Sequence, residues 1–380
     1  MKYSQLFFNN NSFERNNENF ELIDLMRKAC LVHQDSSGIF SWLSLGFILE
    51  QKVEKIIQEE MDNIGFSQMR LSILQDADLW KATGRFDTYG AELFKLKNRK
   101  EHEFCLGATC EEAITNIVKN HYNNTQMNVN VYQIGNKYRD ELRAKAGLMR
   151  SKEFIMKDGY SFASSEEKLE VTYQEVRQAY CNIFDRLGLK YTIVSSDNGE
   201  IGGKSSEEFH CESIYGEEEV DGKTTLEVAH IFNLGQEYSA KMEVFNNIKE
   251  HVHMGCFGIG ISRLVMALLE QQRDKLGFYG TETFNTFHTV ISVIDYKVEE
   301  HQTKAQEIYK FLKSKGVSVL LDDRDVNAGK KMSDSELIGC VRRIIVSKQS
   351  FKNNAFEILH RQEQVKESVD FNSIFDYLSK

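Results

Sequence analysis

The chain has 380 residues, a net charge of −10, and 41% hydrophobic and 27% charged residues, proportions of a globular protein large enough for two domains. No apolar run approaches the roughly 20 residues that cross a bilayer. The start, MKYSQLFFNNNSFERNN, has only a short apolar patch and no small-residue cleavage site, so neither a membrane span nor a signal peptide is expected and a cytoplasmic setting is.

The negative balance argues against general affinity for polyanions. Residues 285–380, with 15 Lys or Arg against 14 Asp or Glu, are less acidic, so any nucleic-acid contact must use local patches. The seven cysteines are widely spaced with no Cys-x-x-Cys pair, and neither a disulfide framework nor a zinc knuckle follows. His251 and His253 lie near Cys256 but lack a second ligand pair at zinc-like spacing. Proline is absent, whereas average usage of about 5% would give roughly 19; the composition has been selected or designed against it.

Apolar periodicity predicts a helix over Phe20–His33, then a tight turn in SSGIFSWLSLG from Ser36 to Gly46. A longer helix over Phe47–Ile64 is expected to end at Gly65 and lead into a strand, Gln68–Leu74. The segment Glu103–Glu112, EFCLGATCEE, reads as a strand turning into a helix. Thr109 is a fair N-cap there, with Glu112 at the capping-box distance; equally, Thr109 and Glu111 are a hydroxyl and a carboxylate able to accept two N–H bonds.

The stretch Tyr138–Phe162 reads as a hairpin around a basic loop. Lys137–Lys157 holds seven Lys or Arg against three Asp or Glu, and arginine presents a planar fork to phosphate oxygens; an ordinary charged hairpin is the plain alternative. Alternation places Phe154, Met156, Asp158, Tyr160 and Phe162 on one face of the second strand, a pocket wall with one carboxylate.

A turn-rich loop, DNGEIGGKSS, lies within Asp185–Ser206. Glu227–Gly235, EVAHIFNLG, reads as a strand ending in a turn; a lone Glu there is structural or a metal ligand. Met254–Arg263 carries Gly258-x-Gly260 and then Arg263 at the start of an apolar helix, Leu264–Gln271. From Phe287 the pattern becomes strand, helix, strand: His288–Ile294, Gln302–Ser314 and Val317–Leu321, a βαβ unit with a mainly parallel sheet.

Arg139-Asp140-Glu141 followed by Arg150 resembles motif 2 of the class II aminoacyl-tRNA synthetases, and Gly258, Gly260 and Arg263 resemble motif 3. The long helix and following strand resemble motif 1. Through FIMKDGYSF the match is to the prolyl-tRNA synthetases, and VLLDDRDVNAGKKMSDSELIG resembles their anticodon-binding domain.

The resemblance implies an α/β (α+β) protein with an antiparallel-sheet catalytic domain over residues 1–284 and a smaller βαβ anticodon-binding domain over 285–380. It implies ATP-dependent ligation of L-proline to tRNA(Pro), with Mg²⁺, and a homodimer through motif 1. Arg139, Glu141 and Arg263 would be catalytic. Thr109, Glu111, Arg139, Met156, Asp158, Tyr160 and His230 would bind proline. ATP would meet Arg139, Glu141, Arg150, Glu227, Asn233, Gly258, Gly260 and Arg263, with Glu227 on the metal. Arg143, Lys145, Arg324, Lys330 and Lys331 would contact tRNA. Only a short acidic segment separates Phe209 from Glu227, so the resemblance is to the short form without an editing insertion. Ser44, Ser72, Asp76, Ala108, Asn128, Ala144, Glu200, Asn327 and Val341 stand where the family usually has proline, which implies a synthetase translatable without the product it makes. Another class IIa synthetase, a non-catalytic tRNA-binding relative and an inactive redesign are the other readings.

Overall fold

The alternation in residues 154–162 is that of a strand, Glu153–Ala163, which pairs antiparallel with Asn128–Tyr138 along its whole length. In the computed structural model, which describes residues 1–7, 21–122, 128–144, 146–197 and 199–378, this hairpin supplies two neighbouring strands of one sheet. The sheet order is Ser67–Gln68, Asn128–Tyr138, Glu153–Ala163, His253–Gly260, Lys223–Gly235, Ser205–Glu212, Tyr191–Ser196, with Glu218–Val220 paired to Lys223–Gly235. All these pairings are antiparallel except that of the two-residue first strand.

Register decides which side chains meet. Gln133 pairs with Asp158, Asp158 with Gly258, Gly258 with His230, and His230 with Glu208, so these five residues form a row across the sheet. Two positions along, Val131, Tyr160, Cys256, Phe232 and Ser206 form the neighbouring row; side chains two apart share a face. Between Phe209 and His210, which pair with Ala229 and Glu227, the register slips. The extra residue, Val228, changes the parity of its strand, as a bulge does, and brings Glu227 beside His230.

The opposite face is covered by the helix Glu166–Leu187, capped by the Ser165 hydroxyl and ended by Gly188 at φ +70. It buries Leu169, Tyr173, Val176, Tyr180 and Phe184 among other residues. Sequence reasoning provided only a loop from Asp185 here. Lys157 points to this face and is fully buried; its ammonium donates to the Tyr180 hydroxyl at 2.8 Å and the Phe257 carbonyl at 3.2 Å.

Several expected bounds shift. The first helix is Leu22–Lys28, and Val32–Ser36 is a strand hairpinned to Ile39–Trp42; Phe20 lies outside the described residues. The long helix runs Ser44–Asn63, and the strand expected at Gln68–Leu74 is two short pieces, Ser67–Gln68 and Leu74–Asp76. The helix after Cys110 is Glu111–His121, with Cys110 at the N-cap and no side-chain cap bond, so Thr109 is not its cap.

By contacts, Gln34–Phe40 and Val53–Leu268 form one compact unit, and Met1–His33, Ser41–Lys52 and Leu269–Lys380 another. In the latter, Val319–Asp322, Phe287–Val293 and Cys340–Val346 are parallel neighbours, with the helix Glu299–Ser314 between the first two in sequence. Ala355–His360 and Lys366–Asp370 extend the sheet antiparallel. The N-terminal residues belong to this unit: Lys2 bridges to Leu321, and the Tyr3 ring lies 3.4 Å from the Arg324 guanidinium.

Burial lowers the Lys157 pKa to about 7 from the usual 10.5. Between those values the unfolded chain holds the proton and the folded chain does not, so stability rises with pH across that window by up to about 1.4 kcal/mol per unit. Lys157→Met is therefore expected to raise stability near pH 7 and to flatten the rise toward pH 10. Denaturant titrations of both proteins at pH 7, 8 and 9 check this; parallel pH profiles would contradict it.

Candidate active site

On the sheet face opposite Lys157 lies a cavity of about 290 Å³, lined by Arg139, Glu141, Met149, Arg150, Phe154, Met156, Asp158, Thr109, Glu227, His230, Cys256, Gly258, Gly260 and Arg263 among others. The two glycines explain why there is room. They sit between the hairpin and the strand carrying His230, and a Cβ on Gly258 would reach 3.8 Å from the His230 carbonyl oxygen and 3.9 Å from Met156 Sδ, so its only cost would be cavity volume.

Asp158 is held at the floor from three sides. Lys137 Nζ donates to Oδ1 at 2.6 Å, and Gln133 Nε2 and the Tyr160 hydroxyl donate to Oδ2 at 2.9 Å each. Burial favours neutral Lys137, but the Asp158 carboxylate outweighs it and raises the ammonium's pKa. Tyr160 does not line the cavity. It is buried behind Asp158, its hydroxyl accepting the Cys110 N–H at 3.0 Å. Only the first half of the alternating strand, Phe154, Met156 and Asp158, faces the cavity; Tyr160 and Phe162 are core.

Thr109 lines the cavity and Glu111 does not. The Glu111 side chain is 0% exposed, and the Thr109 hydroxyl donates to it at 2.7 Å and the Cys256 thiol at 3.2 Å. The strand-to-helix turn leaves Thr109 in front and Glu111 behind it. Sequence reasoning missed Arg85, whose guanidinium binds Glu111 from the far side at 3.0 Å. Its signal was weak, a lone arginine 24 residues before Thr109.

At the other end, Glu227 meets Arg263 at 3.3 Å and His230 Nδ1 at 3.3 Å. Burial would raise its pKa, but the hydrogen bond to His230 and the charges of Arg263 and Arg139 bring it down to about 2. Arg263 also donates to the backbone oxygens of Met149 and Glu227. Arg139 lies over the Phe154 ring at 5.3 Å, and its buried Nε has no hydrogen-bond partner among the described residues. Glu141 is fastened by Arg150 at 2.6 Å, which in turn meets Glu217 at 3.3 Å.

Glu208, Glu227 and His230 bring three possible ligand atoms within 4.8 Å of one another. The two carboxylates suit a hard cation such as Mg²⁺. Glu208 was missed by sequence reasoning, because its place depends on cross-strand pairing with His230. Asn233 is not in the cavity wall. One position past Phe232 it falls on the other side of the strand, buried, with Oδ1 accepting the Gly235 N–H at 3.1 Å.

Of the residues expected to meet tRNA, Arg143 is exposed on the hairpin loop, and Lys145 lies outside the described residues. Arg324 grips Asp322 through Nε and Nη2 at 2.9 and 2.7 Å and Asp334 through Nη1 at 2.8 Å. Lys330 reaches Asp334 at 2.9 Å. Lys331 is fully buried, its ammonium held by the Val293 and Asp322 carbonyls.

This antiparallel sheet and cavity define a class II aminoacyl-tRNA synthetase core. The family model for the tRNA synthetase class II core domain (G, H, P, S and T) matches residues 94–272, and that for the anticodon binding domain matches residues 288–380. A proline–tRNA ligase of Rickettsia bellii is 33% identical over 398 residues, covering 92% of this chain and 91% of the relative. One of Anaplasma phagocytophilum is 36% identical over 402 residues, with 93% of each covered. The chain belongs to the proline–tRNA ligase family. Prolyl-tRNA synthetase of Cryptosporidium parvum, complexed with L-proline and AMP, superposes with a TM-score of 0.83 at 15% identity, covering 94% of this chain and 74% of that one. The Giardia lamblia enzyme, in complex with prolyl-adenylate, gives 0.84 at 22% identity, covering 93% and 75%. A relative from Sulfurihydrogenibium sp. aligns over 524 positions at 30% identity, more than the 380 residues of this chain.

Because a methyl group at Gly258 meets only ordinary contacts, Gly258→Ala is expected to leave the melting temperature unchanged while narrowing the cavity. A methyl-sized obstruction corresponds to about tenfold or more in ligand affinity, read by calorimetric titration. Unchanged affinity for both L-proline and ATP would show that Gly258 borders neither.

Proposed function

We propose that this protein ligates L-proline to tRNA(Pro) through a prolyl-adenylate. The observation that carries the reading is one cavity walled by three arginines, Arg139, Arg150 and Arg263, and by Thr109 with an anion behind it. Proline's carboxylate is already ionised, so its attack on the α-phosphate, which breaks the bond to the β-phosphate and releases pyrophosphate, needs alignment and charge neutralisation and no general base. Arg139 would hold the α-phosphate and Arg263, released from Glu227, the γ-phosphate; Glu141, oriented by Arg150, would accept from the adenine amino group. Glu227 and Glu208 would hold Mg²⁺, whose contribution is to offset charge on the phosphates. Thr109 would accept an N–H of the substrate ammonium, and Met156 with the Asp158 floor would limit the ring. The tRNA terminal hydroxyl then attacks the adenylate and AMP leaves.

Among the described residues no helix is long and apolar enough to cross a membrane, and a cytoplasmic homodimer through the Ser44–Asn63 helix fits this role. The exposed Arg143 suits the tRNA acceptor end, and the partly exposed Arg324 and Lys330 suit the anticodon.

ATP–pyrophosphate exchange with each amino acid, at several protein concentrations, tests the reading. Proline is expected to drive exchange, with alanine weaker because pocket shape discriminates by only about 1–3 kcal/mol; specific activity that falls on dilution is expected of an obligate dimer. Exchange with no amino acid in folded protein would remove the assignment.

Between the strands Ser205–Glu212 and Lys223–Gly235 there is only the short strand Glu218–Val220, which supports the absence of an editing domain. Purified protein is expected to leave alanyl-tRNA(Pro) intact over a time in which that ester does not hydrolyse unaided; enzyme-dependent release of alanine would refute this.

A further inference from the structure

Arg85 opens a four-residue helical turn after Gly84, which is left-handed at φ +82. Its side chain is 5% exposed, yet its Nη1 contacts two carboxylates, Glu111 at 3.0 Å and Glu112 at 3.1 and 3.2 Å. The guanidinium lies 5.0 Å from the Trp80 ring and 5.5 Å from those of Tyr89 and Tyr238. Its Nε and Nη2 are buried with no hydrogen-bond partner among the described residues. A structural arginine would be expected to use more of its five donors, and leaving them unmet is costly. What holds this one is charge, with the aromatic faces adding cation–π attraction.

The consequence reaches the cavity through hydrogen-bond direction. An ionised carboxylate only accepts. While Glu111 is ionised, Thr109 must donate its hydroxyl hydrogen inward and Cys256 its thiol hydrogen, so both present lone pairs to the cavity. A protonated Glu111 would let the Thr109 hydrogen turn outward, toward the ammonium it should receive. We infer that Arg85 is a positioning residue for amino-acid recognition: by keeping Glu111 an anion, it holds Thr109 and Cys256 as acceptors for the substrate's ammonium.

This rests on the function proposed above. The other groups facing Glu111 fit the assignment. Glu112, which also takes the Thr83 hydroxyl at 2.8 Å, has its pKa raised by burial, whereas Arg85 brings Glu111 down against the same burial. Tyr238, Tyr160 and Cys256 are neutral, each pushed up by burial. Lys137 and Asp158 form a close pair of opposite charge.

Without the guanidinium, two adjacent buried carboxylates would share a proton. Arg85→Met is therefore expected to raise the KM for proline in pyrophosphate exchange at least about tenfold, and to make it climb further from pH 9 to pH 6. Wild type is expected to stay nearly flat over that range, and the KM for ATP to stay within about twofold in both proteins. Arg85→Lys, which restores the charge with fewer donors, is expected to recover part of the proline KM and the flat profile. If Arg85→Met does not fold, Arg85→Lys beside wild type carries the test through the same ratio of KM values. Equal rises in both KM values, or a proline KM in the folded variants that matches wild type across the pH range, would overturn the role of Arg85 while leaving the ligase reading intact. Wild-type protein inactive with every amino acid would overturn both.

Discussion

The register of five antiparallel strands governs this protein. Gln133, Asp158, Gly258, His230 and Glu208 come from five strands and meet because each is directly paired with the next. A one-residue slip exchanges the faces of a strand. Slipping Glu153–Ala163 would put Lys157 at the cavity floor and Asp158 under the aromatic helix. The register is pinned from both sides: Tyr160 and Phe162 belong in the core, and Lys157 donates to the Tyr180 hydroxyl and the Phe257 carbonyl. The bulge opposite Phe209 and His210 is one of two register shifts among these strands, the other falling between Asn233 and Gly235, and without the first, Glu227 and His230 would lie on opposite faces.

Charge is distributed over that frame in closed groups. Lys137 with Asp158, Arg85 with Glu111 and Glu112, and Arg263 with Glu227 each join buried or half-buried opposites. A buried pair gains little net stability, but loss of one partner leaves an uncompensated charge costing about 3–5 kcal/mol. Such pairs are therefore poor fasteners and good positioners. The pairs also differ in permanence. Lys137 and Asp158 are sealed, while Arg263 and Glu227 are each about 31% exposed and able to exchange partners when an anion and a cation arrive together.

Local signals in the sequence were legible where one strand or turn contains the whole message. Alternation placed Met156 and Asp158 correctly, and the Gly258–Gly260 pair and Arg263 lie in the cavity wall. Signals failed where a role depends on another strand. Nothing within EVAHIFNLG reveals that Val228 is the bulged residue or that Asn233 turns away, and Glu208 has meaning only beside His230. Thr109 and Glu111 look equivalent in one dimension; burial separates them into a contact and its support. Lys331 is a lysine in a basic stretch until the parallel sheet closes over it, and the Glu166–Leu187 helix was overlooked because its apolar positions are diluted by charged ones.

The absence of proline raises the question of how such a fold keeps its turns. Proline stabilises by restricting the unfolded chain, by about 0.4–1 kcal/mol at a compatible site. Two of the positions where the resemblance implies proline show a local substitute. Asp76 accepts the Asp78 N–H at 3.0 Å and Asn327 accepts the Lys330 N–H at 2.8 Å, each capping a helix. A side-chain cap is worth about 1 kcal/mol, of the same order as what the ring would supply, and proline has no side-chain acceptor with which to provide it. The exchange replaces a constraint on the unfolded chain with a bond in the folded one. Ala108 is different, having neither ring nor polar group. It is buried beside Cys105 and Trp80, so the turn that presents Thr109 depends on packing and on the Gln75 amide, which donates to the Thr109 carbonyl at 3.2 Å.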